Sequence, residues 1–209
     1  MEFQQYPITL IIIIITVLIS INAFNDMERK RKWIFYPYRV NYNKEYYRFI
    51  THILIHADGM HLAFNMFVLF SFGGLLEQVF VQEFGLLLGS FHFLFLYLVG
   101  GIFAATFPYI KNQDNIHYLS LGASGAVSAV LFASIIWLPH GGIYILFIPF
   151  EIKAWLFGFL YLGFEYYMSK RGNTGVAHDA HFGGAVFGIL YVLIIASYKG
   201  QEFINYIIS

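Results

Sequence analysis

The feature that most constrains the fold of this chain is a series of apolar blocks, each about as long as a membrane-spanning helix. The hydrocarbon core of a bilayer is about 30 Å thick and is crossed by a helix of about 20 mostly apolar residues. The chain is 59% hydrophobic and 11% charged, whereas soluble globular domains carry about 25% charged residues. The blocks are also too long for the alternating strands of a membrane barrel. We therefore expect an all-α membrane protein with a single domain over residues 1–209.

Six blocks are predicted to span the membrane. They cover residues 7–24, 61–80, 84–107, 120–138, 153–168 and 178–198. The first block resembles a secretory signal, but no basic residue precedes it and no small-residue cleavage site follows it, so we expect a retained helix. Residues 25–60 are rich in Tyr, Lys and Arg, which favour the headgroup zone, and are interpreted as an interfacial loop. Residues 141–151 contain Pro149 and are interpreted as an interfacial or re-entrant segment.

Composition also bears on partners and cofactors. The formal net charge is zero, which argues against a nucleic-acid partner. The chain has no cysteine, so disulfides and thiolate chemistry are excluded. We expect the lipid bilayer as a partner and neither a cofactor nor a metal.

Polar side chains inside the predicted spans form three clusters. A charged group at the centre of a bilayer costs roughly 2.5 to 3.5 kcal/mol on insertion scales, so each cluster needs a physical reason. The clusters lie at residues 61–65 (HLAFN), 122–125 (GASG) and 177–184 (AHDAHFGG). All three stand at the beginnings of even-numbered spans, and in an up-and-down bundle those beginnings share one side of the membrane. We therefore expect the clusters to meet.

The residue types in these clusters suit acyl-transfer chemistry. Ser124 and His181 are a candidate nucleophile and general base. His61 and Asn65 are four residues apart, so they project from one face of a helix, where both could donate hydrogen bonds to a developing oxyanion.

Small residues predict a close contact between the fourth and sixth spans. They recur every four residues at Gly125, Ala129 and Ala133 of the fourth span and at Ala180, Gly184 and Gly188 of the sixth. Such stripes let helix backbones approach closely in lipid. A seam of this kind would bring Ser124 within reach of His181.

Each of these features has a simpler interpretation when it is taken alone. A serine in an apolar helix is more often a capping or packing residue, and a histidine inside a bundle is usually a hydrogen-bonded structural group. Two other functions stay open at this point. One is a proton relay through His61, His178 and His181, and the other is a metal site at His52, His56 and His61.

The three motifs, in this order and at these intervals, resemble those of the rhomboid intramembrane serine proteases. In that family the second span carries His-x-x-x-Asn, the fourth Gly-x-Ser-Gly, and the sixth Ala-His followed by a glycine pair. The matching segments here are residues 61–65, 122–125 and 180–184. The resemblance covers about residues 46–198, with the first span also in place. It implies a rhomboid-like bundle of six transmembrane helices.

The resemblance also implies a role for individual residues. Ser124 corresponds to the nucleophile, His181 to its general base and acid, and His61 with Asn65 to the side-chain part of the oxyanion hole. Glu77 resembles a family glutamate with a structural hydrogen-bonding role. Structural support is expected from the glycines of the motifs and stripes: Gly122, Gly125, Gly184 and Gly188.

Five further residues bear on the catalytic group and on the resemblance. Asp179 lies about 200° around the helix from His181, so we expect a Ser-His dyad without a carboxylate, and we interpret His178 as a residue that caps the sixth span or meets water. Ser128 stands where family members often have an aromatic residue that packs on the catalytic imidazole. Residues 47–48, Tyr-Arg, replace the Trp-Arg pair that many relatives carry in the first loop.

The implied activity is hydrolysis of peptide bonds in or near transmembrane segments of membrane-protein substrates. The alternative is a catalytically silent relative that binds membrane clients. The resemblance implies a multi-pass protein of a cell or inner membrane with cytoplasmic termini. However, ten of the 12 Lys and Arg residues fall after the odd-numbered spans, which by the positive-inside rule predicts the opposite orientation. The aromatic residues of the fifth span suggest a lateral gate there.

Overall fold

A computed structural model of the chain describes residues 7–144, 150–171 and 175–209. Eleven α-helices and one two-stranded antiparallel sheet are present in these ranges. The helices are α1 (Pro7–Phe24), α2 (Met27–Trp33), α3 (Pro37–Asn43), α4 (Arg48–Thr51), α5 (Gly59–Val68), α6 (Gly74–Phe84), α7 (Leu86–Asn112), α8 (Ser124–Trp137), α9 (Ala154–Arg171), α10 (His178–Ile195) and α11 (Ser197–Ile208), and the strands are β1 (Gly142–Ile143) and β2 (Ile152–Lys153). The all-α membrane architecture predicted from the sequence is confirmed.

Four of the six predicted spans correspond to helices that are long and apolar enough to cross a membrane. These are α1, the helical segment Gly59–Phe84, α7 and α10. In the second, a π-helical turn at Leu69–Gly73 joins α5 to α6. The predicted count of six is not exact. The fourth block forms α8, which has 14 residues and is therefore about 21 Å long; the fifth forms α9, which has 18 residues but ends in Lys170 and Arg171.

Helix α8 is short because it lies at the centre of the bundle, where other helices rather than lipid surround it. All of its residues from Gly125 to Trp137 are buried. It packs on α7 and most extensively on α10. A helix in this position has no need to match the thickness of the bilayer, and its first residue lies inside the protein.

The seam between α8 and α10 depends on glycine. A Cβ atom at Gly184 would overlap the carbonyl oxygen of Gly125, and one at Gly188 would overlap the carbonyl oxygen of Ala129. The two backbones therefore approach as closely as the small-residue stripes predict. This close approach sets the distance between the first turns of the two helices.

The long first loop is folded rather than extended. It contains α2, α3, α4 and a 3₁₀ turn at His52–Leu54. Arg48 is buried and donates from Nε to Glu45 at 2.5 Å and from Nη1 to the Ile34 carbonyl at 2.6 Å. Its guanidinium also lies 5.3 Å from the ring centre of Tyr47. Arg48 therefore connects α4 to the residues that follow α2, with the Tyr47 ring beside its guanidinium.

Glu77 of α6 is buried and binds the beginning of α1. Its carboxylate accepts hydrogen bonds from the backbone N–H groups of Ile8 at 2.9 Å and Thr9 at 2.8 Å, and from the Thr9 hydroxyl at 2.7 Å. The first N–H groups of a helix have no partner within the helix, and an anion there is favoured by the helix dipole. Glu77 therefore joins α6 to α1 by hydrogen bonds.

Two features at the ends of the bundle complete the fold. The segment 141–151, interpreted from the sequence as interfacial or re-entrant, includes β1, which pairs with β2; Pro149 lies outside the described residues. Helix α11 begins two residues after the end of α10. Phe203 of α11 packs against the hydrophobic core of the bundle. The sequence prediction joined the first residues of α11 to the sixth span, because no Gly or Pro separates the two helices.

Candidate active site

Ser124 is the first residue of α8 and is placed there by an unusual backbone turn. Gly122 has a φ of +119°, a conformation that side chains other than glycine rarely adopt. A Cβ at Gly122 would also lie 2.7 Å from Cε1 of His61. The turn is held by two hydrogen bonds: the Gly122 N–H donates to the His52 carbonyl at 3.0 Å, and the Ala123 N–H donates to Nε2 of His56 at 3.3 Å.

His181 lies in the first turn of α10 and contacts Ser124 directly. Its Nε2 is 2.7 Å from the Ser124 hydroxyl oxygen. Both side chains are partly buried. The distance is within the range expected for a nucleophile and its general base. The two residues that the sequence analysis paired are therefore brought together across the α8–α10 seam.

The second ring nitrogen of His181 faces a carboxylate that the sequence analysis did not identify. Nδ1 of His181 lies 3.1 Å from Oε1 of Glu165 on α9, and Nδ1 of His178 lies 2.6 Å from Oε2 of the same residue. Glu165 is 4% exposed. A signal for it existed in the sequence, because an ionisable residue inside a predicted span indicates a functional site.

The predicted oxyanion residues lie on α5, whose first turn is capped by Asp58. The Asp58 carboxylate accepts a hydrogen bond from the His61 N–H at 2.8 Å. The His61 ring adjoins Gly122, two residues before Ser124. Asn65 is buried one turn later, and its amide nitrogen donates to the His61 carbonyl at 2.9 Å. The histidine of this pair thus borders the turn that carries the candidate nucleophile.

His52 and His56, considered from the sequence as metal ligands, are buried and hydrogen-bonded to protein atoms. Nδ1 of His52 donates to the Arg48 carbonyl at 2.8 Å. Nδ1 of His56 donates to the Ser20 hydroxyl at 2.9 Å, since that hydroxyl gives its own proton to the Leu54 carbonyl. Burial lowers the pKa of His52 to about 4. Burial, and to a lesser extent the neighbouring His61, lower the pKa of His56 to about 3.

Asp179 and Ser128, two positions discussed from the sequence, both contact other residues. Asp179 pairs with Lys111 at 3.9 Å and accepts from the Ala180 N–H at 3.0 Å, so its carboxylate is engaged away from His181. Ser128, which replaces the expected aromatic residue, lies 3.1 Å from the hydroxyl of Tyr161 on α9. An aromatic residue of α9 thus packs beside the position where the family carries one on α8.

One group of side chains in the described part of the chain has the spacing of a metal site. Glu165, His178 and His181 offer ligand atoms that lie within 4.8 Å of one another. Both imidazoles direct a ring nitrogen at the carboxylate at hydrogen-bonding distance. The arrangement is complete as a hydrogen-bonded network.

Comparison with known proteins identifies the family of this chain. A model of the rhomboid domain matches residues 43–198. The rhomboid protease GlpG of Haemophilus influenzae is 30% identical over 199 residues, which cover 91% of this chain and 92% of that protein. The rhomboid protease AarA of Providencia stuartii is 28% identical over 182 residues, which cover 75% of this chain and 60% of that protein.

A mitochondrial relative is also similar. The human presenilin-associated rhomboid-like protein is 32% identical over 148 residues, which cover 66% of this chain but only 35% of that longer protein. The family resemblance inferred from the three motifs is confirmed. With its multi-pass helical architecture and a domain match over most of its length, this chain belongs to the rhomboid family of integral membrane proteins.

Proposed function

We propose that this protein is an intramembrane serine endopeptidase in which Ser124 is the nucleophile and His181 the general base. The observation that carries the proposal is the distance of 2.7 Å between the Ser124 hydroxyl and Nε2 of His181. The similarity to two proteins described as rhomboid proteases supports the same chemistry. Substrates are transmembrane proteins, cleaved in or near their membrane-spanning segments.

The proposed reaction uses Ser124 and His181 in two steps, acylation and deacylation. Ser124 Oγ attacks the scissile carbonyl carbon while His181 Nε2 accepts its proton. When the tetrahedral intermediate collapses, the carbon–nitrogen bond breaks and His181 gives the proton to the departing amine. A water molecule then attacks the acyl ester, passes a proton to His181, and releases the acid as Ser124 recovers its hydrogen.

Hydrogen-bond donors near Ser124 can stabilise the negative charge that develops on the substrate carbonyl oxygen. The first N–H groups of α8 have no acceptor within the helix, and the helix dipole favours an anion at this end. We assign His61 and Asn65 to the same role, supported by the position of His61 against Gly122. Loss of one such donor typically lowers kcat by about 100- to 1,000-fold.

The chemistry also constrains the substrate. Carbonyl groups inside a helix are hydrogen-bonded, so the scissile segment must unwind before attack. Substrates with glycine or other helix-weakening residues near the cut are therefore expected to be preferred. Sequencing of the products tests this expectation, and cuts inside stable leucine-rich helix would contradict it.

The test of the proposal is cleavage of a single-span substrate in liposomes by the wild-type protein and by Ser124→Ala and His181→Ala. Cleavage by the wild type and its loss in both variants, with the fold retained, is the expected result. Equal cleavage by wild type and variants would overturn the assignment. Substrate binding without cleavage in all three would instead favour the catalytically silent, client-binding alternative.

A further inference from the structure

Three side chains from three helices form a continuous hydrogen-bonded chain at the candidate active site. Ser124 of α8 contacts Nε2 of His181 on α10 at 2.7 Å, and Nδ1 of the same ring contacts Oε1 of Glu165 on α9 at 3.1 Å. The carboxylate is nearly inaccessible to solvent. The order hydroxyl, imidazole, carboxylate is that of a catalytic triad.

The chemistry of these groups fixes which ring nitrogen of His181 carries a proton. An ionised carboxylate can only accept hydrogen bonds, so the hydrogen of the neutral imidazole lies on Nδ1, facing Glu165. The lone pair is then on Nε2, facing Ser124. This is the tautomer that a general base requires, and the carboxylate also stabilises the imidazolium formed when the serine proton is transferred.

The second oxygen of Glu165 is held by His178. Nδ1 of His178 donates to Oε2 at 2.6 Å, while Oε1 is directed at His181. The carboxylate is thus fixed at both oxygens, and its plane is set by two donors from α10. His178 acts on Glu165 rather than on Ser124.

The sequence of α9 explains how a carboxylate comes to this point. Tyr161 and Glu165 are four residues apart and lie on one face of the helix. Tyr161 bonds to Ser128 of α8, and Glu165 bonds to α10. With Ser128 in place of an aromatic residue on α8, the imidazole of His181 is restrained by hydrogen bonding from α9. Burial of a carboxylate is costly unless it is fully hydrogen-bonded, which the two imidazoles achieve here.

We propose that Glu165 is the positioning residue of a Ser124–His181–Glu165 triad. The proposal rests on the proposed protease function and extends it, since the family motifs identify only the serine and the histidine. Glu165 touches no substrate and acts through His181.

The test separates activation of Ser124 from substrate access. A small water-soluble fluorophosphonate reacts with an activated serine hydroxyl, releasing fluoride, and does not need lateral entry from the membrane. Its labelling rate is measured for the full-length protein in excess EDTA, beside kcat and KM for a membrane substrate. The variants are Glu165→Gln, Glu165→Asp and His178→Gln. Asp179→Asn is the matched control, because it removes a nearby carboxylate that does not contact His181.

Glu165→Gln removes the negative charge and keeps one acceptor oxygen for two imidazoles, so one of them must change tautomer. We expect labelling and kcat to fall by at least about 100-fold with KM nearly unchanged, by comparison with loss of the triad carboxylate in serine proteases. Glu165→Asp keeps the charge and should recover part of the rate. The labelling rate and kcat should fall less in His178→Gln than in Glu165→Gln. Asp179→Asn should have the labelling rate and kcat of the wild type.

Labelling of Glu165→Gln at the wild-type rate, per folded molecule, would overturn the proposal. So would an equal loss in His178→Gln, because Glu165 would then serve only to attach α9 to α10. If Glu165→Gln does not fold, Glu165→Asp decides the question: its shorter side chain moves the carboxylate away from Nδ1 of His181, so the labelling rate should fall, and labelling at the wild-type rate would overturn the proposal. Failure of the wild type itself to label would instead overturn the protease function.

Discussion

The backbone N–H of Ala123 donates a hydrogen bond to Nε2 of His56 at 3.3 Å, so the turn before Ser124 is attached to the end of the first loop. Only a neutral imidazole can accept this bond, because both nitrogens of a protonated ring are donors. The integrity of the turn therefore depends on keeping His56 unprotonated.

This dependence predicts loss of stability in mild acid. The unfolded chain takes up protons on His52 and His56 below their ordinary pKa of 6.5, whereas the folded pKa values are about 4 and about 3. Above pH 6.5 both histidines are neutral in the folded and the unfolded chain, and the free energy of unfolding is not affected. As the pH falls from 6.5 towards the folded pKa values, only the unfolded chain gains protons, so the free energy of unfolding decreases. Within that window each pH unit costs about 1.4 kcal/mol for each histidine.

Thermal unfolding in detergent between pH 7.5 and 5 measures the effect. Tm should decrease below pH 6.5, and His52→Gln should reduce the slope. His117, which is exposed, provides a control, and His117→Gln should leave the slope unchanged. A constant Tm over this range would contradict the account.

A second prediction concerns the seam between α8 and α10. Gly184→Ala places a Cβ against the Gly125 carbonyl and should destabilise the protein by about 1–3 kcal/mol. Because the helices must separate, Ser124 and His181 should also lose contact and cleavage should fall with Tm. Gly163→Ala is the matched control, since nothing lies within 4 Å of a Cβ at this exposed position of α9. Equal behaviour of the two variants would show that the seam is not tightly packed.

A third prediction concerns the carboxylate that binds the beginning of α1. Glu77→Gln turns one acceptor into an amide donor that faces backbone or hydroxyl donors of Ile8 and Thr9. A buried donor without an acceptor costs about 1–3 kcal/mol, so Tm should fall. Glu28→Gln, at an exposed position in the first turn of α2, removes a charge that interacts favourably with the helix dipole and should lower stability by about 0.3–1 kcal/mol only. Equal Tm values for the two variants would rule out the structural role of Glu77.

The orientation in the membrane is a fourth prediction. We propose cytoplasmic termini in a cell or inner membrane, although most Lys and Arg residues follow odd-numbered spans. Two of these charges make contacts within the first loop: Arg48 is buried against Glu45, and Lys30 donates to the Ala57 carbonyl. They are therefore less available to direct insertion than charges in a short free loop. A C-terminal fusion to a reporter active only in the cytoplasm should be active; activity only of an external reporter would reverse the orientation.

The sequence predicted the membrane class, the family and the close approach of α8 to α10, because apolar length and small-residue spacing are local properties. It also paired Ser124 with His181. It did not predict the length of α8, since the position of residues 120–123 in a turn depends on hydrogen bonds that the Gly122 and Ala123 N–H groups donate to His52 and His56. A helix surrounded by protein can be shorter than the bilayer, and no local pattern indicates which helix is central.

Glu165 was missed for a related reason. Its role depends on how α9 is rotated against α10, and the aromatic residues of α9 gave no clear apolar face from which to read that rotation. Only Asp179, adjacent in sequence to the motif, was considered as a carboxylate partner, and its position on the helix excluded it. Glu165 lies 16 residues before His181, on another helix, and only the packing of α9 against α10 brings the two side chains together. The lateral gate proposed at the fifth span stays a prediction.

The most direct test of the central claim is to identify the residue that a fluorophosphonate modifies in the wild-type protein. The account predicts one adduct, on Ser124, found by mass spectrometry of the digested protein and greatly reduced in His181→Ala, whose serine lacks its base. Absence of an adduct on Ser124 in folded wild-type protein, or equal labelling of other serines, would contradict it.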